Sequence, residues 1–372
     1  MRSRKDRLFA ILVLSPSIVL LGLFVYWFIG QTIYISFTDW GKVAPLAAHP
    51  PIHFVGLENY KTLFTGILEG RFRQDLVNTF FFTLFFVLGS IGLGLFLAIL
   101  LDREPKGKGF FRTLFLYPMS LSFIVTGTIW RWLLAPRGGV NVLPRLVGLP
   151  ALRFEWTNSR TQILQFDWQD LPKLTVLVVA AVLAFLVVRN LRRGRKWQGL
   201  FTGIPAVGLV LWYVFGGDLI PSAGLLFPEK HGFNLAIIGI IIAAIWQFSG
   251  YTMALYLAGL RGIPEELRES ARIDGCNEFQ MYRRVALPLL KPITLSAVII
   301  LGHISLKTFD LVFAMTGPDH ASTDMPSVLM FIRTFRGNQF AIGAAIAVVL
   351  FILVALVVIP YLFSALRARS ST

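Results

Sequence analysis

Ionisable and polar side chains inside long apolar runs are costly to bury, and where they occur they usually serve a function. Two runs of this chain hold such residues. The run 293–315 carries His303, Ser305, Lys307, Thr308 and Asp310, and the run 234–260 carries Trp246, Gln247 and Tyr251. On one continuous helix Lys307 and Asp310, three residues apart, share a face and can neutralise each other. Such a pair serves as a structural ion pair, as part of a substrate site, or as the coupling pair of an ion-driven transporter. Ser305 and Thr308 have the same spacing. Trp246 lies in the middle of its run, away from the edges where an aromatic belt belongs. Other chemistries lack their residues. No G-x-x-x-x-G-K-[ST] occurs, and Gly107-Lys108-Gly109 has neither its spacing nor a preceding strand, so the chain is not expected to hydrolyse ATP. The five histidines show no paired metal spacing and Cys276 is the only cysteine, so no metal and no internal disulfide are expected.

These residues must be positioned by membrane-spanning helices. Of 372 residues 55% are hydrophobic and 33 are Phe, above the roughly 45–50% of a soluble domain. Long apolar runs at 8–37, 76–101, 113–134, 234–260, 293–315 and 340–363 predict six spans. Two shorter runs, 174–188 and 200–215, flank the basic tip RNLRRGRKWQG and predict a further hairpin. The fold class is therefore an all-α polytopic bundle of about eight transmembrane helices, with both termini cytoplasmic. The net charge of +15 fits this topology rather than nucleic-acid binding. Basic residues concentrate in the segments placed inside (1–7, 102–112, 189–199, 261–291, 367–372), although the outer segments are longer. The first run is too long for a cleavable signal and is expected to remain as a span.

The longest polar stretch among the inner segments is IPEELRESARIDGCNEFQMYRRVALPLLKP, residues 263–292. Pro264 opens a helix, Glu265, Glu266 and Glu269 fall in its first turns, and Asp274-Gly275 stops it. A second short helix, 277–286, carries Arg283 and Arg284 near its end. The pattern predicts a helix–turn–helix elbow, too polar for the bilayer and too regular for a slack loop.

This elbow resembles the cytoplasmic-loop signature of permease subunits of binding-protein-dependent ABC importers: E-A-A, three residues, G, nine residues, an aliphatic residue, any residue, L-P. Glu269, Ala271, Gly275, Val285, Leu287 and Pro288 stand at those positions, with Ser270 in place of the first alanine. Asn78-Thr79, Gly109-Phe110-Phe111-Arg112, Gly138-Gly139-Val140-Asn141 and Phe309-Asp310-Leu311 are similar to stretches of the maltose/trehalose-type carbohydrate uptake subfamily. Members commonly have six spans, so the 174–215 hairpin is a departure.

The resemblance implies a permease that moves a sugar across the cytoplasmic membrane, with no catalytic residue and no cofactor of its own. ATP and magnesium belong to the partner ATPase. The implied partners are a second homologous permease, two ATPase subunits, an extracytoplasmic solute-binding protein, the sugar and membrane lipid, with no nucleic acid. It implies ATPase coupling through Glu266, Glu269, Ala271, Gly275, Val285, Leu287 and Pro288. It implies sugar contacts at Trp246, Gln247, Tyr251, Ser305 and Thr308, with Lys307 and Asp310 beside them. An apolar ring and matched donors and acceptors are what a sugar requires. The expected organisation is an N-terminal span and outer loop (1–75), the first part of the core (76–160), an inserted segment with the extra hairpin (161–232) and the second part of the core with the elbow (233–372). The rival is an ion-coupled secondary transporter, for which inverted repeats would speak; none is evident, and the elbow has no role there.

Overall fold

The structure, a computed structural model, describes residues 4–41, 52–192, 194–215 and 222–370. Helices dominate because the apolar runs leave no side chain to hydrogen-bond the backbone, and in a bilayer only internal pairing can satisfy it. The chain opens with α1 (Arg4–Leu21), continues through a π-helical turn into α2 (Phe28–Ser36), and reaches α3 (Glu58–Thr65) and α4 (Gly70–Asp102). Next come α5 (Lys108–Leu116), α6 (Phe123–Leu133), strand β1 (Gln162–Asp167), α7 (Leu171–Arg192), α8 (Lys196–Phe215) and strand β2 (Lys230–Asn234). The C-terminal part comprises α9 (Ile237–Arg261), α10 (Glu265–Ile273), α11 (Glu278–Met281), α12 (Leu287–Leu289), α13 (Lys291–Leu306), α14 (Asp310–Thr316), α15 (Pro326–Phe331) and α16 (Phe340–Ser370). Six helical segments among the described residues are long and apolar enough to cross a membrane, and eight if each of two bent pairs counts as one.

Three expectations need correction. The run 113–134 is not a straight span. The segments 108–120 and 123–133 meet at 101°, because a 3-10 turn carrying Pro118 precedes extended Leu121 and Ser122, and the Ser122 hydroxyl then caps α6 by accepting the Val125 amide at 3.3 Å. The run 293–315 is likewise broken, with α13 ending at Leu306 and α14 beginning at Asp310. The arms of the hairpin are longer than their apolar cores. α7 runs on to Arg192 and α8 starts at Lys196, since a backbone ladder continues through charged residues at a membrane surface.

The residues fall into two compact units, 1–60 with 78–161 and 234–372, and 61–77 with 162–233. In the larger unit a buried cluster joins Leu97 and Leu101 of α4 to Met253, Tyr256 and Leu260 of α9 and to Met281, Tyr282 and Leu290 below them. The helices approach closely where glycine allows it. A Cβ on Gly250 of α9 would lie 1.9 Å from the carbonyl oxygen of Phe115, so glycine lets α9 lie directly against the end of α5.

The smaller unit contains α7, α8 and nearly all of the two-stranded sheet β1–β2. It also buries a charged cluster. Arg73, fully buried, pairs with Glu229 (Nε to Oε2, 2.9 Å) and donates to the carbonyls of Leu63 and Gly66. His231 Nε2 lies 3.1 Å from Glu229, and its Nδ1 is 3.0 Å from Gln74. Burial pushes the His231 imidazole below its usual value, against the opposing pull of the Glu229 carboxylate.

Candidate functional site

The two helix breaks meet in one cavity of about 740 Å³. Leu121 and Ser122, from the bend before α6, line it, and so do Lys307, Thr308 and Phe309, from the gap between α13 and α14. Non-helical backbone at membrane depth is tolerated where it is buried in protein or lines a cavity, and discontinuous helices form the substrate sites of many transporters. The volume lies within the range of small-molecule sites, about 300–1,000 Å³.

The lining has two characters. Phe123, Phe248 and Phe309 supply aromatic surface, while Gln247, Lys307, Thr308 and Asp310 supply polar groups. Gln247 is buried, and its amide nitrogen donates to the Leu121 carbonyl at 3.1 Å, tying α9 to the bend. Its Oε1 has no partner among the described residues. A buried acceptor without a donor costs roughly 1–3 kcal/mol, and this oxygen is shielded behind the cavity wall. The helix break also separates Lys307 from Asp310. They do not share a helix face, and no ion pair joins them among the described residues. Both are exposed into the cavity.

The remaining expected contacts stand elsewhere. Ser305 is buried, accepts the Thr83 hydroxyl at 2.9 Å and donates to Gly302, so it binds α13 to α4. Trp246 packs edge-on against Trp130, with ring centroids 5.8 Å apart. Neither Trp246, Ser305 nor Tyr251 lines the cavity.

The elbow is built as a rigid bracket. α10 ends in a Schellman motif: Gly275 takes φ +77°, the Cys276 amide donates to Ala271 and the Gly275 amide to Arg272, each at 3.0 Å. Its helix starts at Glu265, with Pro264 one residue earlier at the cap rather than inside. Asn277 then opens α11 with a reciprocal capping box to Gln280. A network not anticipated from sequence secures the bracket. Arg268 donates to Asp102, at the end of α4, at 2.9 Å, and to the Leu260 carbonyl at 2.7 Å, while the Tyr282 hydroxyl donates to Asp102 at 2.9 Å. The hydrogen bonds to Asp102 hold the Arg268 guanidinium above its ordinary range. A lone acid ending an apolar run, as Asp102 does, was the available signal. Ala271 is buried, Val285 and Leu287 are half-buried, and Glu266, Glu269, Gly275 and Pro288 are exposed. Ile273 and Phe279 are 85% and 70% exposed, apolar groups facing out of a polar bracket.

Residues 199–370 match the family described as binding-protein-dependent transport system inner membrane component. A probable ABC transporter permease protein of Pyrococcus horikoshii is 37% identical over 365 residues, covering 98% of this chain and 97% of its own. The chain belongs to this permease family. The permease is also 29% identical over 349 residues to the xylose/arabinose import permease protein of Haloferax volcanii, covering 93% of this chain and 84% of that protein. Among solved structures, a bacterial alginate ABC transporter in complex with an alginate pentasaccharide-bound periplasmic protein has a chain of the same fold. It gives a TM-score of 0.59 at 18% identity and covers 95% of the permease and 93% of that chain. The permease is thus a multi-pass protein of the cytoplasmic membrane, and its signature positions lie on the elbow.

Proposed function

We propose that the permease moves a carbohydrate inward, holding it in the cavity between the two helix breaks. The observation that carries this reading is a cavity lined by three phenylalanine rings together with Gln247, Thr308, Lys307 and Asp310, with the buried Gln247 oxygen still unpaired among the described residues. That combination suits a ligand with an apolar face and many hydroxyls. Xylose/arabinose, multiple-sugar and alpha-glucoside permeases among the relatives support the same substrate class. Trp246, Tyr251 and Ser305 then form the outer support of the site. The driving energy comes from ATP hydrolysed on two partner ATPase subunits. A second permease completes the path and an extracytoplasmic solute-binding protein delivers the sugar.

In this proposal the elbow docks on an ATPase subunit. Glu266 and Glu269 meet its basic groups, Ile273 and Phe279 enter its apolar groove, and Gly275, Val285, Leu287 and Pro288 keep the bracket's shape. The chain crosses the membrane eight times with both termini in the cytoplasm, counting each bent pair once. The arrangement of residues 161–232 as an insertion belongs to the same proposal. A cysteine placed at Arg192 is then labelled from the cytoplasm alone; labelling from outside returns the count to six. For the substrate, uptake by the reconstituted complex is the test. Gln247→Ala and Thr308→Ala raise the KM for the cognate sugar, and unchanged uptake in both overturns the site. Lys307→Ala separates the classes: transport of a neutral sugar survives it, whereas transport of a phosphorylated sugar does not.

A further inference from the structure

The α7–α8 hairpin has no part in transport as proposed, and its chemistry is one-sided. No acidic residue falls between Asp170 and Asp218. Its tip presents Arg189, Arg192 and Arg195, all exposed, and none forms an ion pair among the described residues. The turn itself is closed by backbone: the Gly194 amide donates to Leu191 and the Arg195 amide to Asn190, each at 3.0 Å. The arginines are therefore not needed to hold it.

Next to this tip, α7 and α8 leave an apolar groove of about 610 Å³. Val187 and Leu191 line it from α7, and Gly203, Ile204, Val207 and Leu211 from α8. It also takes in Gly208, and no atom lies within 4 Å of the point where a Cβ would be there. The groove begins at the tip. Leu191 adjoins Arg192, and Arg195 lies one turn before Gly199, another lining residue, whose amide it accepts at 3.0 Å. From Gly199 to Leu211 the groove is about 18 Å long at about 1.5 Å per residue. That is about the depth of one leaflet of a hydrocarbon core of roughly 30 Å.

A cationic rim on an apolar furrow one leaflet deep has the dimensions and chemistry of a single lipid. We infer that the hairpin holds one anionic membrane lipid, its phosphate among Arg189, Arg192 and Arg195 and one hydrocarbon chain along the α7–α8 groove. Guanidinium groups pair with phosphate oxygens through two parallel hydrogen bonds. A zwitterionic headgroup would bring an ammonium into a field that no carboxylate relieves. A second helix seated in the groove would leave the three guanidiniums without a counter-charge. The eight-span topology puts the tip at the cytoplasmic surface, where anionic lipids attract basic segments; the site itself is read from the hairpin and does not depend on that side.

The test uses the intact transport complex, purified and exchanged into phosphatidylglycerol or phosphatidylcholine, with retained lipid counted by native mass spectrometry. One phosphatidylglycerol per hairpin is expected to stay bound where phosphatidylcholine is lost. The double variant Arg192→Gln, Arg195→Gln lowers retention about thirtyfold. Gly208→Leu fills the groove from open space and also lowers retention, with helical content unchanged. If Gly208→Leu fails to assemble, the arginine variant decides alone. Equal retention of both lipids, indifference to both variants, displacement by millimolar inorganic phosphate, or a groove covered by the second permease with no lipid bound each overturns the inference. Labelling of a cysteine at Arg192 reads the topology separately. Outside labelling with phosphatidylglycerol still retained refutes the topology and leaves the lipid site standing.

Discussion

The elbow and the cavity are both polar regions of the larger unit, and they treat their polar groups in opposite ways. In the elbow Asp102, Arg268 and Tyr282 satisfy one another, and the cap of α10 and the capping box of α11 account for the helix ends. In the cavity, among the described residues, the Gln247 oxygen has no partner and no ion pair joins Lys307 to Asp310. Satisfied polar networks fix a geometry, whereas open polar groups wait for one. The elbow is thus suited to transmit a displacement and the cavity to receive a ligand. Damage to the first is expected to appear as lost stability or lost coupling, and damage to the second as weakened binding.

The contrast can be broken first where it is steepest. Arg268→Ala strips the cationic partner from Asp102, whose side chain is only 6% exposed, and leaves it the Tyr282 hydroxyl alone. Removing one member of a buried pair costs about 3–5 kcal/mol, and a lowered unfolding temperature measures it. Replacing both members, with Arg268→Met and Asp102→Leu, is expected to recover most of the loss. A single variant that unfolds like the wild type would mean that the network holds nothing.

A smaller effect follows at Gly275. No atom lies within 4 Å of a Cβ there, so Gly275→Ala meets no clash. It must still adopt φ +77°, a penalty of about 1–2 kcal/mol. Faster hydrogen exchange at the Cys276 amide, bonded to Ala271, reports it. Gly275→Asn exchanges more slowly than Gly275→Ala, because asparagine tolerates the left-handed region.

The smallest effects separate the wall of the cavity from its support. Gln247→Ala removes one ligand hydrogen bond, about 0.5–1.5 kcal/mol, so uptake shows a KM raised about two- to tenfold. Ser305→Ala loses its bonds to Thr83 and Gly302, which lowers stability by a similar amount and leaves the KM unchanged. The reverse outcome would put Ser305 in the site and Gln247 behind it.

The elbow was legible in the sequence because everything that shapes it is local. Pro264, Asp274-Gly275 and Asn277 are helix signals read within a few residues, and the spacing from Glu269 to Pro288 lies in one stretch. The cavity draws on three distant stretches, at 119–124, 247–248 and 304–311. Its second break carries no proline or glycine, so the sequence pattern puts the polar residues of 293–315 on one helix, where Lys307 and Asp310 can neutralise each other. Pro118 and Ser122 did mark the first break, yet the apolar residues around them read as a continuous span. Hydropathy also bounds the two hairpin runs at Val188 and Leu200, whereas hydrogen bonding carries α7 on to Arg192 and starts α8 at Lys196. Asp102 and Arg268 lie far apart in sequence, and only packing brings them together.

The central claim is that the elbow passes ATPase motion to the cavity. The most direct measurement is ATP hydrolysis and sugar uptake, recorded together, in the reconstituted complex carrying Glu269→Ala and Gly275→Asp. The account predicts a permease that inserts normally, binds its sugar with wild-type affinity, and loses either ATPase association or the link between hydrolysis and uptake. Wild-type uptake per ATP hydrolysed, with the ATPases still bound, would contradict it.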